Sequence, residues 1–399
     1  MKPDFIVCDL QPLLRKIIYR CLSMLIALAG LSGCQPGKDI IYEPRAETQK
    51  LTPPMRELIA QTLTEHAGTP SSPKLISDPS LPTSSLLAGQ AVYQLRCASC
   101  HGDTGNGAGP AAYALSPKPR DYRKGIFKFI STINSEDPTL KRKKKPTRTD
   151  LEAVIRRGAV GTSMPAFPLL PDDEVRDVIS YVMSLAQRGE LEYRILTQYE
   201  AGEDVFEDLP QEAGGDPSAP EERRKVRFVE GFIEQQMQQI RDEWNEAGNF
   251  VLEPLSKETP FTAESVKRGE AAYMSSTASC YSCHGKDGRG MDIPPEQREN
   301  FLDEWGNVSR AADLTAGMFH GGGRAIDIYR RIMIGIEPMP SRYNDFKDNP
   351  DLVWDIVHYV QALSSARRRA ILADSVFDDA QKAKAAKESA SAASNASAK

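Results

Sequence analysis

The sequence predicts a chain of helices with a domain-sized unit repeated along it, and three observations carry that expectation. The same order of features runs from about residue 85 to 190 and again from about 263 to 366. Each segment closes on an amphipathic pattern, Asp172 to Leu185 and Leu352 to Leu363. Between them Phe228, Phe232, Ile233, Met237, Ile240 and Trp244 recur at three- and four-residue steps, which gives a long helix one apolar face. Each repeat, about 105 residues, is an ordinary single-domain size.

Composition narrows the function. Of 399 residues, 26% are charged and 40% hydrophobic, which excludes wholesale disorder and a polytopic membrane protein. Lys plus Arg is 50 against 55 Asp plus Glu, and a net charge of -5 is not the footprint of a nucleic-acid binder. Aromatics make up only 7%, so something other than Phe, Tyr and Trp fills the interior, as a large apolar cofactor would. Turns should be plentiful, with 28 Gly and 28 Pro.

At the start, Lys2, Arg15, Lys16 and Arg20 precede an apolar run from Cys21 to Leu31 and then small residues, the layout of a secretory signal. The run is too short to span a bilayer, for which about 20 residues are needed. Leu31-Ser32-Gly33-Cys34 resembles the lipobox of bacterial lipoproteins, which implies a signal peptide over 1–33 and a lipid on Cys34. A plain secretory signal or an uncleaved anchor is the alternative. Cleavage there removes Cys8 and Cys21, and the other four cysteines form two close pairs, so no thiol is left for a disulfide.

Residues 34–84 read as a tether, because Pro53, Pro54, Pro70, Pro73, Pro79 and Pro82 interrupt helix formation, with one short helix around Met55 to His66. The domains follow at 85–190 and 263–368. The linker, 191–262, passes through Gly214-Gly215-Asp216-Pro217 before its long helix, whose apolar face should pack on one or both domains. Residues 369–399 read as a mostly disordered tail of Ala, Ser and Lys.

Each repeat carries one sharp motif. Cys97-Ala98-Ser99-Cys100-His101 and Cys280-Tyr281-Ser282-Cys283-His284 both match C-x-x-C-H, the attachment signature for c-type haem. Cysteines three apart lie on one side of a helical turn and reach the two vinyl groups, while the adjoining His points at the iron. A zinc site needs two further ligands per motif, but no Cys remains and the other His are scattered; a thioredoxin-like pair is the remaining alternative.

These motifs and their surroundings resemble class I cytochromes c, twice over. Gly89 and Tyr93 precede Cys97 at steps of four, like the family's first helix, whose small residue lets the last helix cross closely. The second copy keeps Gly269 and Tyr273 but inserts three residues before Cys280. Tyr181 and Tyr359 stand where the family's last helix crosses its first. The resemblance implies an all-α chain of two class I cytochrome c-like domains joined by a helical linker, with two haems c. It assigns the carbonyl of Pro110, in the glycine-rich loop after the first motif, to the Nδ1–H of His101; Pro294 or Pro295 takes that role in the second copy. Axial methionines are expected at Met164, in Gly161-Thr162-Ser163-Met164-Pro165, and Met339, in Glu337-Pro338-Met339-Pro340, a loop two residues shorter. Met333 competes with Met339 but sits on a helical stripe; Met291, Met318 and His320 are weaker competitors. His358 reads as a packing residue. Arg120 is a candidate partner for a haem propionate, and Trp305 for the second.

The run Lys141, Arg142, Lys143, Lys144, Lys145 is either a solvated face or a docking patch for an acidic redox partner or anionic lipid. Together these readings describe a lipid-anchored dihaem electron carrier, not an enzyme, on the periplasmic side of the cell envelope, serving redox partners or a respiratory complex. A dihaem peroxidase, which needs one iron open to substrate, is the rival, and a sensory subunit is a third reading.

Overall fold

The computed structural model describes residues 40–133, 144–200, 220–290 and 294–365, with side chains omitted at 200, 220–229 and 298. Met1–Ile41 and Tyr42–Lys399 are separate units, and everything below concerns the second. Cys34 and the expected leader, Lys141, Arg142, Lys143, the Gly214–Pro217 breaker, Met291 and the 369–399 tail lie outside the described residues.

The fold is all-α, with one two-stranded hairpin among the described residues. In chain order it comprises α1 (Pro53–Ala67), β1 (Gly68–Thr69), β2 (Ser72–Pro73), α2 (Thr83–Arg96), α3 (Ala98–His101), α4 (Arg148–Arg157), α5 (Asp172–Glu200) and α6 (Pro220–Asn245). The second half adds α7 (Ala263–Tyr273), α8 (Tyr281–His284), α9 (Ala325–Ile334), α10 (Tyr343–Phe346) and α11 (Asp351–Ser364).

Both halves are built on one crossing, α2 over α5 and α7 over α11. A Cβ at Gly89 would sit 2.0 Å from the Asp177 carbonyl oxygen, and one at Gly269 1.9 Å from that of Asp355, so only glycine permits these approaches. One helical turn on, Tyr93 meets Tyr181 at 5.4 Å between ring centroids and Tyr273 meets Tyr359 at 5.1 Å. Arg268 forks onto Asp355 at 2.7 and 2.9 Å beside the second crossing. Two hydrophobic cores result, one around Leu86, Tyr93, Val178 and Tyr181, the other around Val266, Tyr273, Trp354 and Val357.

The first core reaches well beyond 85–190. Residues 42–84 do not form a tether: Met55, Ile59 and Leu63 are buried in the first core, and the segment is stitched to α5. The Arg45 N–H donates to Glu192 (2.8 Å), the Ser77 N–H to Gln187 (2.9 Å), and the Arg188 guanidinium to the carbonyls of Leu63 and Gly68 (2.9 and 2.8 Å). The prolines punctuate this structure without preventing it. Pro53 and Pro54 occupy the first turn of α1, where a missing N–H costs nothing, and Pro73 lies in β2. On the linker side, α5 runs unbroken past residue 190, and Ile233, Met237, Ile240 and Trp244 of α6 bury into the first core. The chain then pairs back across the halves, the Ile133 N–H donating to Phe250 and the Leu252 N–H to Ser131, before Leu252 enters the second core.

The end of the basic run is not a surface patch. Lys145 is 1% exposed, its Nζ 2.6 Å from Glu190 and 3.4 Å from Glu243, while Arg194 binds both carboxylates and the Trp244 indole N–H donates to Glu190 at 2.9 Å. Lys144 is half-buried and donates to the Ile334 carbonyl of the second half. Both lysines close packing within the chain.

Candidate haem sites

Each motif forms one helical turn, α3 or α8, closed by a glycine in the left-handed region, Gly102 (φ 74°) or Gly285 (φ 75°). The His101 N–H bonds the Cys97 carbonyl and the His284 N–H that of Cys280, both at 2.9 Å, so each turn gathers its cysteines and histidine. Tyr93 and Tyr273 donate from their hydroxyls to the carbonyls of Gly102 and Gly285, each at 2.7 Å, tying the motif to the helix crossing. None of the four motif cysteines is in a disulfide. Burial pushes the Cys97 and Cys280 thiols up to about 11, so both are neutral at pH 7.

Burial also lowers His101 and His284 from the ordinary histidine value, partly offset by backbone groups at Arg120 and Ala312 respectively. The imidazoles are therefore neutral, the form that ligates a metal. His284 Nδ1 lies 3.1 Å from the Ala312 carbonyl. Pro294 and Pro295 are not its partner, and Pro110, exposed to solvent, is not the residue acting on His101. Chain geometry explains the correction. Tyr122 N–H bonds the Gly105 carbonyl and Leu314 N–H that of Gly288, so the residues two earlier, Arg120 and Ala312, are brought over the histidines in both halves. The role is carried by main chain, which accepts any residue type, so it needs no proline.

The methionines occupy equivalent loops. After α4, Gly158 opens a loop in which the Ala159 N–H bonds the Met164 carbonyl (3.2 Å) and the Met164 N–H bonds Thr162 Oγ1 (3.1 Å). After α9, Gly335 opens the shorter one, where Ile336 and Met339 exchange backbone bonds at 2.8 and 2.7 Å. Met164 and Met339 both line a cavity of about 890 Å³ that also exposes Cys97, Cys100, His101, Cys280, Cys283 and His284. Met333 is fully buried in the second core, and Met318 is 53% exposed. His320 lines the cavity but stands at the first half's loop: a Cβ on Gly161 would lie 2.6 Å from its Nε2. His358 packs on Phe261 with its Nδ1 2.9 Å from Ser265 Oγ.

Arg120 lines the cavity, yet its guanidinium is engaged, 2.5 Å from Asp303 and over the Trp305 ring at 5.1 Å. The Trp305 indole N–H donates to the Asp121 carbonyl, so the pair joins the two halves. Asp303, its side chain fully buried, also faces Lys128 at 3.4 Å and accepts from the Trp305 and Asn307 N–H groups. No motif or spacing marks Asp303, Lys128, Phe129 and Arg331, which build this junction.

These residues fit a covalently held haem in each half: paired thiols, a neutral imidazole and a methionine on one cavity, with His101 Nδ1 buried and lacking a hydrogen-bond partner. The cytochrome c family model matches residues 86–186, so the first half contains a cytochrome c domain, which implies covalently bound haem c and haem-based electron transfer. No curated protein matches the chain. Among solved structures, a chain of a reducing HAO-like protein complex of Kuenenia stuttgartiensis is similar at 23% identity and a TM-score of 0.46, covering 70% of this chain and 96% of that one.

Proposed function

We propose that the chain holds two haems c, with His101 and Met164 as axial ligands in one half and His284 and Met339 in the other, and passes single electrons between redox partners. The observation that carries this reading is the shared cavity onto which both motifs and both methionines open. Haem c, when bound, supplies reversible one-electron chemistry. The chain's own residues do the rest. The four thiols anchor, the neutral imidazoles ligate, and the Ala312 carbonyl, 3.1 Å from His284 Nδ1, leaves the other nitrogen of that ring free. The methionines close the sixth positions, which favours a carrier over a peroxidase that needs an open iron.

A periplasmic-side location with a lipid on Cys34 is supported by the leader layout, and no helix among the described residues is long and apolar enough to cross a membrane. Haem counting on protein purified from the envelope tests the function: two covalent haems per chain, and one after Cys97→Ala with Cys100→Ala. A single haem in the wild type refutes the dihaem reading; peroxide turnover by the intact protein refutes the carrier assignment.

A further inference from the structure

The first half's methionine loop is held from outside its own half. In the second half the loop closes on itself, Ile336 and Met339 exchanging both backbone bonds. The loop around Met164 is two residues longer and has one such bond, from the Ala159 N–H to the Met164 carbonyl, while the Met164 N–H goes to the Thr162 side chain. Val160, Gly161, Ser163 and Pro165 are all exposed, so the loop is little packed on its own helices. At its tip Gly161 has φ 78°, and the three atoms nearest a Cβ built there all come from the second half: His320 Nε2 at 2.6 Å, His320 Cδ2 at 2.8 Å and Met318 Cβ at 3.7 Å. Glycine is required here twice, for the left-handed turn and for the approach of the imidazole.

His320 stands on a turn fixed on both sides. Phe319 packs against the second core, and the Gly322 N–H returns to the Phe319 carbonyl at 3.1 Å. Gly321 lies against the first half, where a Cβ on it would be 2.9 Å from the Phe129 ring. Arg331 covers the same ring at 5.6 Å and donates to the Lys128 carbonyl at 3.4 Å. At the equivalent place in the first half, four residues before the loop glycine, α4 has Val154. The far side of His320 is open to solvent, so removing its ring opens no hole in either core.

We propose that His320 is a positioning residue for Met164: the second half seats its imidazole against the Gly161 backbone and so holds the first half's axial methionine on its iron. This rests on the reading that Met164 ligates that iron. Methionine ligation raises the reduction potential of a haem, so the contact makes the potential of the first haem a property of the docked halves.

The test uses the intact, haem-loaded protein and follows the sulfur-to-iron charge-transfer band of the oxidised state together with binding of added imidazole. Met164→Ala comes first. The part of the band it removes belongs to the first haem; a band it leaves unchanged means that Met164 is not a ligand, a failure of the underlying reading and not of the contact. His320→Ala should then weaken the Met164 part of the band and leave the Met339 part intact. Imidazole should bind the first haem about tenfold tighter than in the wild type, the middle of the range for residues in contact. Gly161→Ala, which displaces the ring from the loop side, should act in the same direction, and adding His320→Ala to it should change little more, since both break one contact. Should Gly161→Ala fail to load its haem, the band and the affinity in His320→Ala decide alone. An unchanged Met164 band and imidazole affinity in His320→Ala overturn the proposal, as do fully additive effects of the two substitutions or a change confined to the second haem.

Discussion

Lys145→Met replaces a buried ammonium by an apolar chain of similar length, and the structure sets the cost. The cluster it leaves contains two carboxylates, Glu190 and Glu243, and one cation, Arg194, where before two of each faced one another. Glu190 loses its 2.6 Å partner and keeps Arg194 and the Trp244 indole. Breaking one member of a buried pair typically costs about 3–5 kcal/mol, because a charge is left uncompensated away from water. With a urea dependence of about 2 kcal/mol per M, the unfolding midpoint of the holoprotein, followed by circular dichroism, should fall by about 2 M. The pH dependence should change sign as well. In the wild type burial alone would raise Glu190, but Lys145 and Arg194 outweigh it and hold the carboxyl below its usual value. That stabilisation is present above the unfolded-state pKa and is lost as pH falls through the folded one. Without Lys145 burial dominates, the folded state binds the proton more tightly than the unfolded one, and the variant gains stability as pH falls from 7 toward 5. A midpoint within about 0.3 M of wild type, with the pH slope unchanged, would show that Lys145 reaches solvent and that the basic run is a surface patch after all.

Two further outcomes probe the repeated architecture. Gly269→Ala should destabilise the second half by more than the about 1–3 kcal/mol usual for overpacking, since the added methyl meets the rigid Asp355 carbonyl, and Gly89→Ala should do the same in the first half; thermal melting of each haem's Soret band reads both, and an unchanged melt refutes the close crossing. Met164→Ala and Met339→Ala should each open one iron to carbon monoxide; if instead Met333→Ala opens the second, the loop assignment falls, although Met333 faces the core.

What could be read from the sequence was whatever the two halves share. The Cys and His of each motif follow from spacing, and the crossing glycines, their tyrosines and the two methionine loops from the resemblance to class I cytochromes c that both copies carry. The segment 42–84 reads as a tether only while prolines count as breakers without regard to position. Pro53 and Pro54 start a helix, and what holds the segment down is Glu192, Gln187 and Arg188, more than 100 residues away. Lys145 is hidden in the sequence for a related reason. A run of like charges looks solvated until a Glu from α5 and another from α6 arrive from distant sequence to bury it.

The junction between the halves was invisible for a deeper reason, and the same reason gives it its function. Repetition exposes residues that two copies must both have, whereas a contact between copies needs residues that differ, since the same patch cannot be on both sides of a head-to-tail interface. Arg331 against Val154 is such a difference. So is His320, which the second half sends to Gly161 in the first half's methionine loop. Asp303 likewise receives Arg120 and Lys128 from the first half into a loop of the second. Arg331 and His320 of the second half line the cavity beside residues of the first, and His320 reaches the first half's methionine loop. On the proposed reading of a haem in each half, the ligation and potential of either site depend on the docked state of both, and the unit of electron transfer is the pair of halves.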